Sequence, residues 1–256
     1  MTTARMLFRP EAAMPPAIPH ELRPFVGRLA VYGALSTEEL GLVAELARQP
    51  AREVATRSQI HDQGGSPPPT VLLSGWGCQA RLLSDGRRQI VSFLLPGDLI
   101  GGLPPQLPSP CAALTLCPVR LLDATPAMRA IRAAPASFPG LARAVRVVGQ
   151  TYEVLLRDQV VRLGRQTAFE RMASLLLEFR ERLDVAGLVR DGSFAMPLTQ
   201  EVLGDALGLS GVHVNRTLQQ MRRDGLLNIR GGIVSIHNLE ALRDVADWNP
   251  LPIPVD

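Results

Sequence analysis

The chain has 256 residues, 46% hydrophobic and 20% charged, with a formal net charge of +3 at pH 7. That length holds one large or two medium domains, and the composition is that of a globular protein rather than a disordered or fibrous one. No apolar run is long enough to span a bilayer, and the Pro-punctuated N-terminus lacks the apolar core of a signal peptide, so no membrane partner and a cytoplasmic location are expected.

All 27 basic residues are arginine, the residue best shaped for bidentate contact with phosphate and guanine edges. A G- and C-rich genome is the simpler source of that bias. Cys78, Cys111 and Cys117 show no metal-ligand spacing, and their odd number argues against a disulfide framework. Cys111 and Cys117 read as small apolar residues, and a redox-sensing thiol is left open.

In chain order, residues 1–20 are rich in Pro and Ala and read as a flexible tail. Ser36-Thr37-Glu38-Glu39 is a capping box that opens a short helix through Leu40, Val43, Ala44 and Ala47. From Ala51 to Asp123 short apolar runs alternate with turns, Asp85-Gly86 being the sharpest hairpin signal. Evenly spaced short strands of this kind predict a small antiparallel barrel or jelly roll. Between Phe138 and Leu163 the texture is helical. There Leu141, Val145, Val148, Tyr152 and Leu155 recur in steps of four and three, the pattern of a coiled-coil seam, and Val160 and Leu163 carry it on out of phase. The expected partner is a second copy across a two-fold axis; the alternative is that the stripe packs on its own roll. Thr167-Ala168-Phe169-Glu170 is a second capping box and marks a hinge after Gly164.

Residues 198–221 carry the most information. Thr199 can cap a helix whose buried face is Val202, Leu203, Ala206 and Leu207, and Gly208 ends it. Ser210 can cap a second helix with Val214, Leu218 and Met221 inside, which leaves Val212, His213, Asn215, Arg216 and Gln219 facing out. Leu226-Leu227-Asn228-Ile229, Arg230-Gly231-Gly232 and Ile233-Val234-Ser235-Ile236 read as strand, turn and strand, and Asn238 can cap a last helix. This is a winged helix-turn-helix, an arrangement built to enter a DNA major groove. Its span from Met196 to Asn249 holds five arginines against six acids, so any field that attracts DNA is local, from Arg216, Arg222, Arg223 and Arg230.

With these elements in place the chain resembles the Crp/Fnr family of bacterial transcription regulators. The matching stretches are Leu73-Ser74-Gly75-Trp76, Asp85-Gly86-Arg87-Arg88-Gln89-Ile90, Leu95-Pro96-Gly97-Asp98-Leu99-Ile100-Gly101, Leu163-Gly164-Arg165, Glu170-Arg171-Met172-Ala173 and the winged helix. The resemblance implies an α+β chain: an N-terminal antiparallel β-roll (jelly roll) sensor over 21–137, a long dimerisation helix over 138–165, a winged helix-turn-helix over 166–249 and a short tail over 250–256. It implies a homodimer on palindromic double-stranded DNA and contact with RNA polymerase. By the same resemblance, Val212, Asn215 and Arg216 fall at base-reading positions, with Arg216 suited to a guanine and Val212 to a thymine methyl. Thr199, Gln200, Ser210, His213 and Arg230 are assigned to the DNA backbone.

The cyclic AMP binders of the family use an acid after the roll glycine and an Arg-Ser pair on the next strand. Here those places hold Gly102 and the neighbourhood of Cys111-Ala112-Ala113, and a Pro-rich run from Pro104 to Pro110 stands where a short helix is usual. A buried phosphate without a cation is too costly, so cyclic AMP is not the expected ligand. Gly101, Gly102 and Cys111 mark the candidate pocket for an unidentified small-molecule effector, if one exists. The oxygen-sensing branch needs four cysteines for its iron–sulfur cluster, and His61 is the only histidine in the roll, so no cofactor is expected. Two other classes stay open: a small-molecule-binding adaptor whose winged helix contacts protein, and a cupin-type metalloenzyme, for which clustered His and carboxylate ligands are wanting.

Overall fold

The alternating run from Ala51 to Asp123 forms two facing antiparallel sheets in the computed structural model, which describes residues 18–101 and 108–251. The strands are β1 (Arg52–Val54), β2 (Gln59–His61), β3 (Thr70–Ser74), β4 (Gly77–Leu82), β5 (Arg88–Leu94), β6 (Leu99–Ile100), β7 (Ala112–Thr115) and β8 (Val119–Asp123). One sheet has the order β1-β8-β3-β6 and the other β2-β7-β4-β5. Leu72, Leu94, Ile100, Ala113, Val119 and Leu121 meet between them and fill the roll with apolar side chains. Asp85-Gly86 turns the β4–β5 hairpin as the sequence predicts.

Four helices flank the roll: α1 (Arg23–Ala30), α2 (Thr37–Glu45), α3 (Thr125–Ala133) and the 27-residue α4 (Pro139–Arg165). Ser36 opens α2 with both halves of the predicted capping box. Neither α1 nor α3 is among the elements that the sequence pattern predicts. Both begin with a proline in the first turn (Pro24, Pro126), a position where the missing N–H costs nothing. The expected tail over 1–20 also ends too late: Ile18 is buried and Leu22 wholly so. Residues 1–17 lie outside the described part of the chain.

These helices overturn the expected dimer seam. Leu141, Val145 and Leu155 are buried within their own chain, and Val148 and Tyr152 are half-buried. Leu141 and Val145 share a core with Phe25, Leu29 and Met128, and Val148 packs against it. The Tyr152 hydroxyl donates to the Leu99 carbonyl at 3.0 Å. The stripe therefore does what the alternative allowed, because α1 and α3 supply the apolar face it needs. The apolar residues that α4 leaves outside are Leu156, Val160 and Val161, the second of them 72% exposed.

The C-terminal part comprises α5 (Ala168–Val185), β9 (Ser193–Ala195), α6 (Gln200–Leu207), α7 (Gly211–Arg223), β10 (Leu227–Arg230), β11 (Ile233–Ile236) and α8 (Leu239–Ala246). Thr167 opens α5 with the second capping box, and Asn238 caps α8 by accepting from the Ala241 amide. The wing is wider than expected: β9 adds a third strand beside β11, giving the order β10-β11-β9. A single hydrophobic core joins this part to the roll, in which Phe179 of α5 meets Trp76 and Phe93 edge to face at 4.9 and 4.8 Å between centroids.

Candidate nucleic-acid interface

The two helices of the reader are set by their caps. Thr199 Oγ accepts from the Val202 amide and Ser210 Oγ from the His213 amide, so each helix N-terminus has one orphan donor satisfied. Gly208 stops α6 with φ +65°, a left-handed turn that a side chain would strain. Val214, Thr217 and Met221 anchor α7 from beneath.

What α7 turns outward is the predicted set. Val212 is 72% exposed, and His213, Asn215, Arg216 and Gln219 are exposed. Val212, Arg216 and Gln219 lie on one face by helical spacing. Asn215 stands beside Gln219, with their amides 3.4 Å apart. The Arg216 side chain makes no hydrogen bond or ion pair among the described residues, and that of Arg230 at the wing tip is likewise exposed and without one. Arg222, counted among the cations that attract DNA, is instead tied down: its guanidinium donates to Asn228 Oδ1 and to the Ile229 carbonyl and braces the wing. Thr199 and Gln200 are exposed at the start of α6, and Thr199 also lines a polar cleft between α6 and the roll.

That cleft exists because α6 docks on β5. Arg88 Nε pairs with Asp205 at 2.6 Å, and Gln89 donates to the Ala206 carbonyl at 3.1 Å. In the sequence Arg88 and Gln89 stand beside a hairpin turn, with no local sign of a docking role. From the other side, Gln159 of α4 donates to the same Ala206 carbonyl at 2.7 Å.

Gln159 ends a row of buried charges that the sequence does not announce. Arg28 pairs with Asp98 at 3.1 Å, Asp98 with Arg182 at 2.7 Å, Arg182 with Glu178 at 2.8 Å, Glu178 with Arg162 at 2.9 Å, and Arg162 donates to Gln159. Burial alone would lower the Arg182 guanidinium, but the flanking Asp98 and Glu178 outweigh it and hold it above its ordinary value. Asp98 sits in the Pro96-Gly97-Asp98 turn, where its carboxylate also accepts from the Leu95 amide at 2.6 Å. Gly97 adopts φ +89°, and a Cβ there would stand 2.6 Å from the Pro24 carbonyl, so the turn presses directly on α1.

Of the expected effector residues, only Gly101 and Cys111 fall in the described part of the chain. Gly101 backs onto Pro67 and Pro68, Cys111 is buried with its amide bonded to Ser109 Oγ, and Gly102, with most of the Pro-rich run, lies outside the described residues. Burial pushes the Cys78 thiol up to about 12, so at pH 8 roughly one thiol in ten thousand is ionised. Cys78 is therefore expected to stay unlabelled by a disulfide reagent such as DTNB in the folded protein and to react fully in urea; rapid labelling of Cys78 in the native state would show that this environment opens. Among the described residues no group of three His, Cys, Asp or Glu side chains can hold a metal ion, and no helix is long and apolar enough to cross a membrane.

A capped helix pair, an unpaired arginine on its outer face and a three-stranded wing define a DNA-binding protein, here joined to an antiparallel roll. The Crp-like helix-turn-helix domain matches residues 170–245. The chain is 30% identical over 210 residues to the transcriptional activatory protein AadR of Rhodopseudomonas palustris, covering 78% of this chain and 82% of that one. It is 34% identical over 161 residues to the nitrogen fixation regulation protein FixK of Bradyrhizobium diazoefficiens; that match spans 61% of this chain and 64% of the relative's length. The solved structure of FixK2 from Bradyrhizobium japonicum superimposes with a TM-score of 0.64 at 28% identity, over 79% of this chain and all of that one. The chain belongs to the Crp/Fnr family of transcription regulators.

Proposed function

We propose that the protein acts in the cytoplasm as a homodimer on palindromic promoter sites and there contacts RNA polymerase. Two copies of α7 would enter successive major grooves roughly 34 Å apart. Val212, Asn215 and Arg216 read base edges, while Thr199, Gln200, Ser210, His213 and Arg230 hold the phosphate backbone. The observation that carries this reading is the exposed Arg216, whose guanidinium spends none of its donors on the described residues. Selection from a randomised duplex pool tests it. A two-fold consensus with guanine opposite Arg216 is expected, and recovery of unselected sequence would refute base reading.

The dimer surface we assign is the outer face of α4. Gly149, Leu156, Val160 and Leu163 follow one another at steps of seven, four and three, and Leu156 and Val160 are exposed apolar side chains. Val160→Glu is expected to give a monomer in sedimentation equilibrium with its melting transition retained. A dimer unchanged by Val160→Glu would place the interface elsewhere. Val145→Glu, in contrast, would bury a charge in the core and unfold the chain.

An effector other than cyclic AMP remains consistent with this reading. The roll interior is filled by apolar side chains, Leu72, Leu94, Ile100, Val119 and Leu121 among them, a setting in which a charged cyclic phosphate is costly to bury.

A further inference from the structure

Every α-helix ends on carbonyls that find no partner inside it. In α6 the Gly204 carbonyl accepts backbone amides, that of Gly208 and, at 3.1 Å, that of Leu209. The Leu207 carbonyl accepts from Arg171 Nη1 of α5 at 2.9 Å. The Ala206 carbonyl is served from outside the reader, by the side-chain amides of Gln89 in β5 and Gln159 in α4 at 3.1 and 2.7 Å. Both amides also donate to the Ile90 carbonyl of the roll, Gln89 at 2.8 Å and Gln159 at 3.5 Å. The two side chains thus stitch one carbonyl of the roll to one carbonyl of the reader. Beside Ile90 the β4–β5 ladder shifts register and passes over Val91, the kind of bulge that takes a residue out of regular pairing.

Gln159 is held at its other end as well. Its Oε1 accepts from Arg162 Nη1, which aims the amide nitrogen at Ala206. It also stands within one turn of Leu156 and Val160, the exposed apolar residues of the dimer surface assigned above. That turn of α4 offers one face to a second copy and holds the reader with the other. The link is made of neutral groups, so salt does not screen it as it screens a charged pair.

We propose that Gln89 and Gln159 are positioning residues that fix the angle of the reader on α4, and with it the half-site spacing that the homodimer accepts. This rests on the reading of a homodimer on two-fold DNA. Each base pair added between half-sites moves them about 3.4 Å apart and turns one against the other by about 35°. A reader clamped between the roll and α4 cannot follow that change, whereas a reader freed from the clamp tilts to meet it.

The test is fluorescence anisotropy with three kinds of duplex: the selected palindrome, the palindrome with one base pair added or removed between its half-sites, and a single half-site. The parent chain is expected to lose at least about tenfold in affinity when the spacing changes, the scale of a few ordinary hydrogen bonds. Gln89→Met and Gln159→Met keep the length of the side chain and remove the donor. Each is expected to cut that penalty to about threefold or less, with half-site affinity at the parent value. Gln79→Met is the control, since Gln79 bonds Ser92 Oγ within the same sheet; its spacing penalty should match the parent's. Gln89 is only half-buried, so Gln89→Met serves even where Gln159→Met fails to fold. An undiminished penalty in the folded variants, an equal relaxation in Gln79→Met, or a loss on the half-site as large as that on the palindrome overturns the proposal. A parent chain that binds the half-site but shows no preferred spacing overturns the two-fold reading, and one that binds no DNA overturns the reader; the proposal falls with either.

Discussion

Arg216→Ala is expected to weaken binding to the selected palindrome by about 1–3 kcal/mol per half-site, the usual worth of a bidentate base contact. Because a dimer would lose the contact twice, the loss on a full site is about 2–6 kcal/mol, from roughly thirty-fold to more than ten-thousand-fold. The signature lies in the comparison between duplexes. Affinity for the consensus falls towards that for random DNA, and the preference at one base pair in each half-site relaxes. Arg230→Ala should behave differently, weakening specific and random DNA alike and reducing the salt slope by about one, as a phosphate contact does. Fluorescence anisotropy at several salt concentrations separates the two. If Arg216→Ala lowers both affinities equally, Arg216 is a phosphate contact and the base-reading assignment is wrong.

The reader was legible in the sequence because every cue in it is local. Thr199, Ser210 and Asn238 cap the helix that follows within three residues, and Gly231-Gly232 turns the wing between two apolar runs. The roll was legible for the same reason, through Asp85-Gly86 and the strands on either side. What local cues cannot supply is the identity of a packing partner. The stripe from Leu141 to Leu155 announces an apolar neighbour in either case, and only the position of α1 decides that the neighbour belongs to the same chain. The strand β9, three residues long, carries too little pattern to be seen before its pairing with β11. The buried charges were invisible because Asp98 and Arg182 are 84 residues apart in the chain, and a charged residue read singly belongs on the surface.

Those charges set the second large effect. Arg182→Met is expected to destabilise the fold by about 3–5 kcal/mol, the range for removing one partner from a buried ion pair. The methionine fills much of the same space, so the loss is electrostatic. Of their cationic partners Asp98 keeps Arg28 and Glu178 keeps Arg162, and both carboxylates are buried. Urea unfolding followed by tryptophan fluorescence reads it directly, since Trp76 packs on Phe179, one residue beyond Glu178. An exposed pair provides the contrast. Arg157→Ala, which removes the surface partner of Glu153, should cost less than about 1 kcal/mol. A loss of that small size for Arg182→Met would mean the row of ion pairs contributes little to holding the parts together.

The eight consecutive residues from Met172 to Phe179 in α5 are all buried, more than two full turns with no side in water. In α7, by contrast, the buried positions recur only every third or fourth residue, and Val212, His213, Asn215, Arg216 and Gln219 stand exposed beside them. Mutational tolerance is thus divided between two helices. One is a chassis in which almost any change of shape is felt throughout. The other is a keyboard whose letters can be exchanged without disturbing the frame, so new binding preferences can arise in such a protein at little cost to its folding.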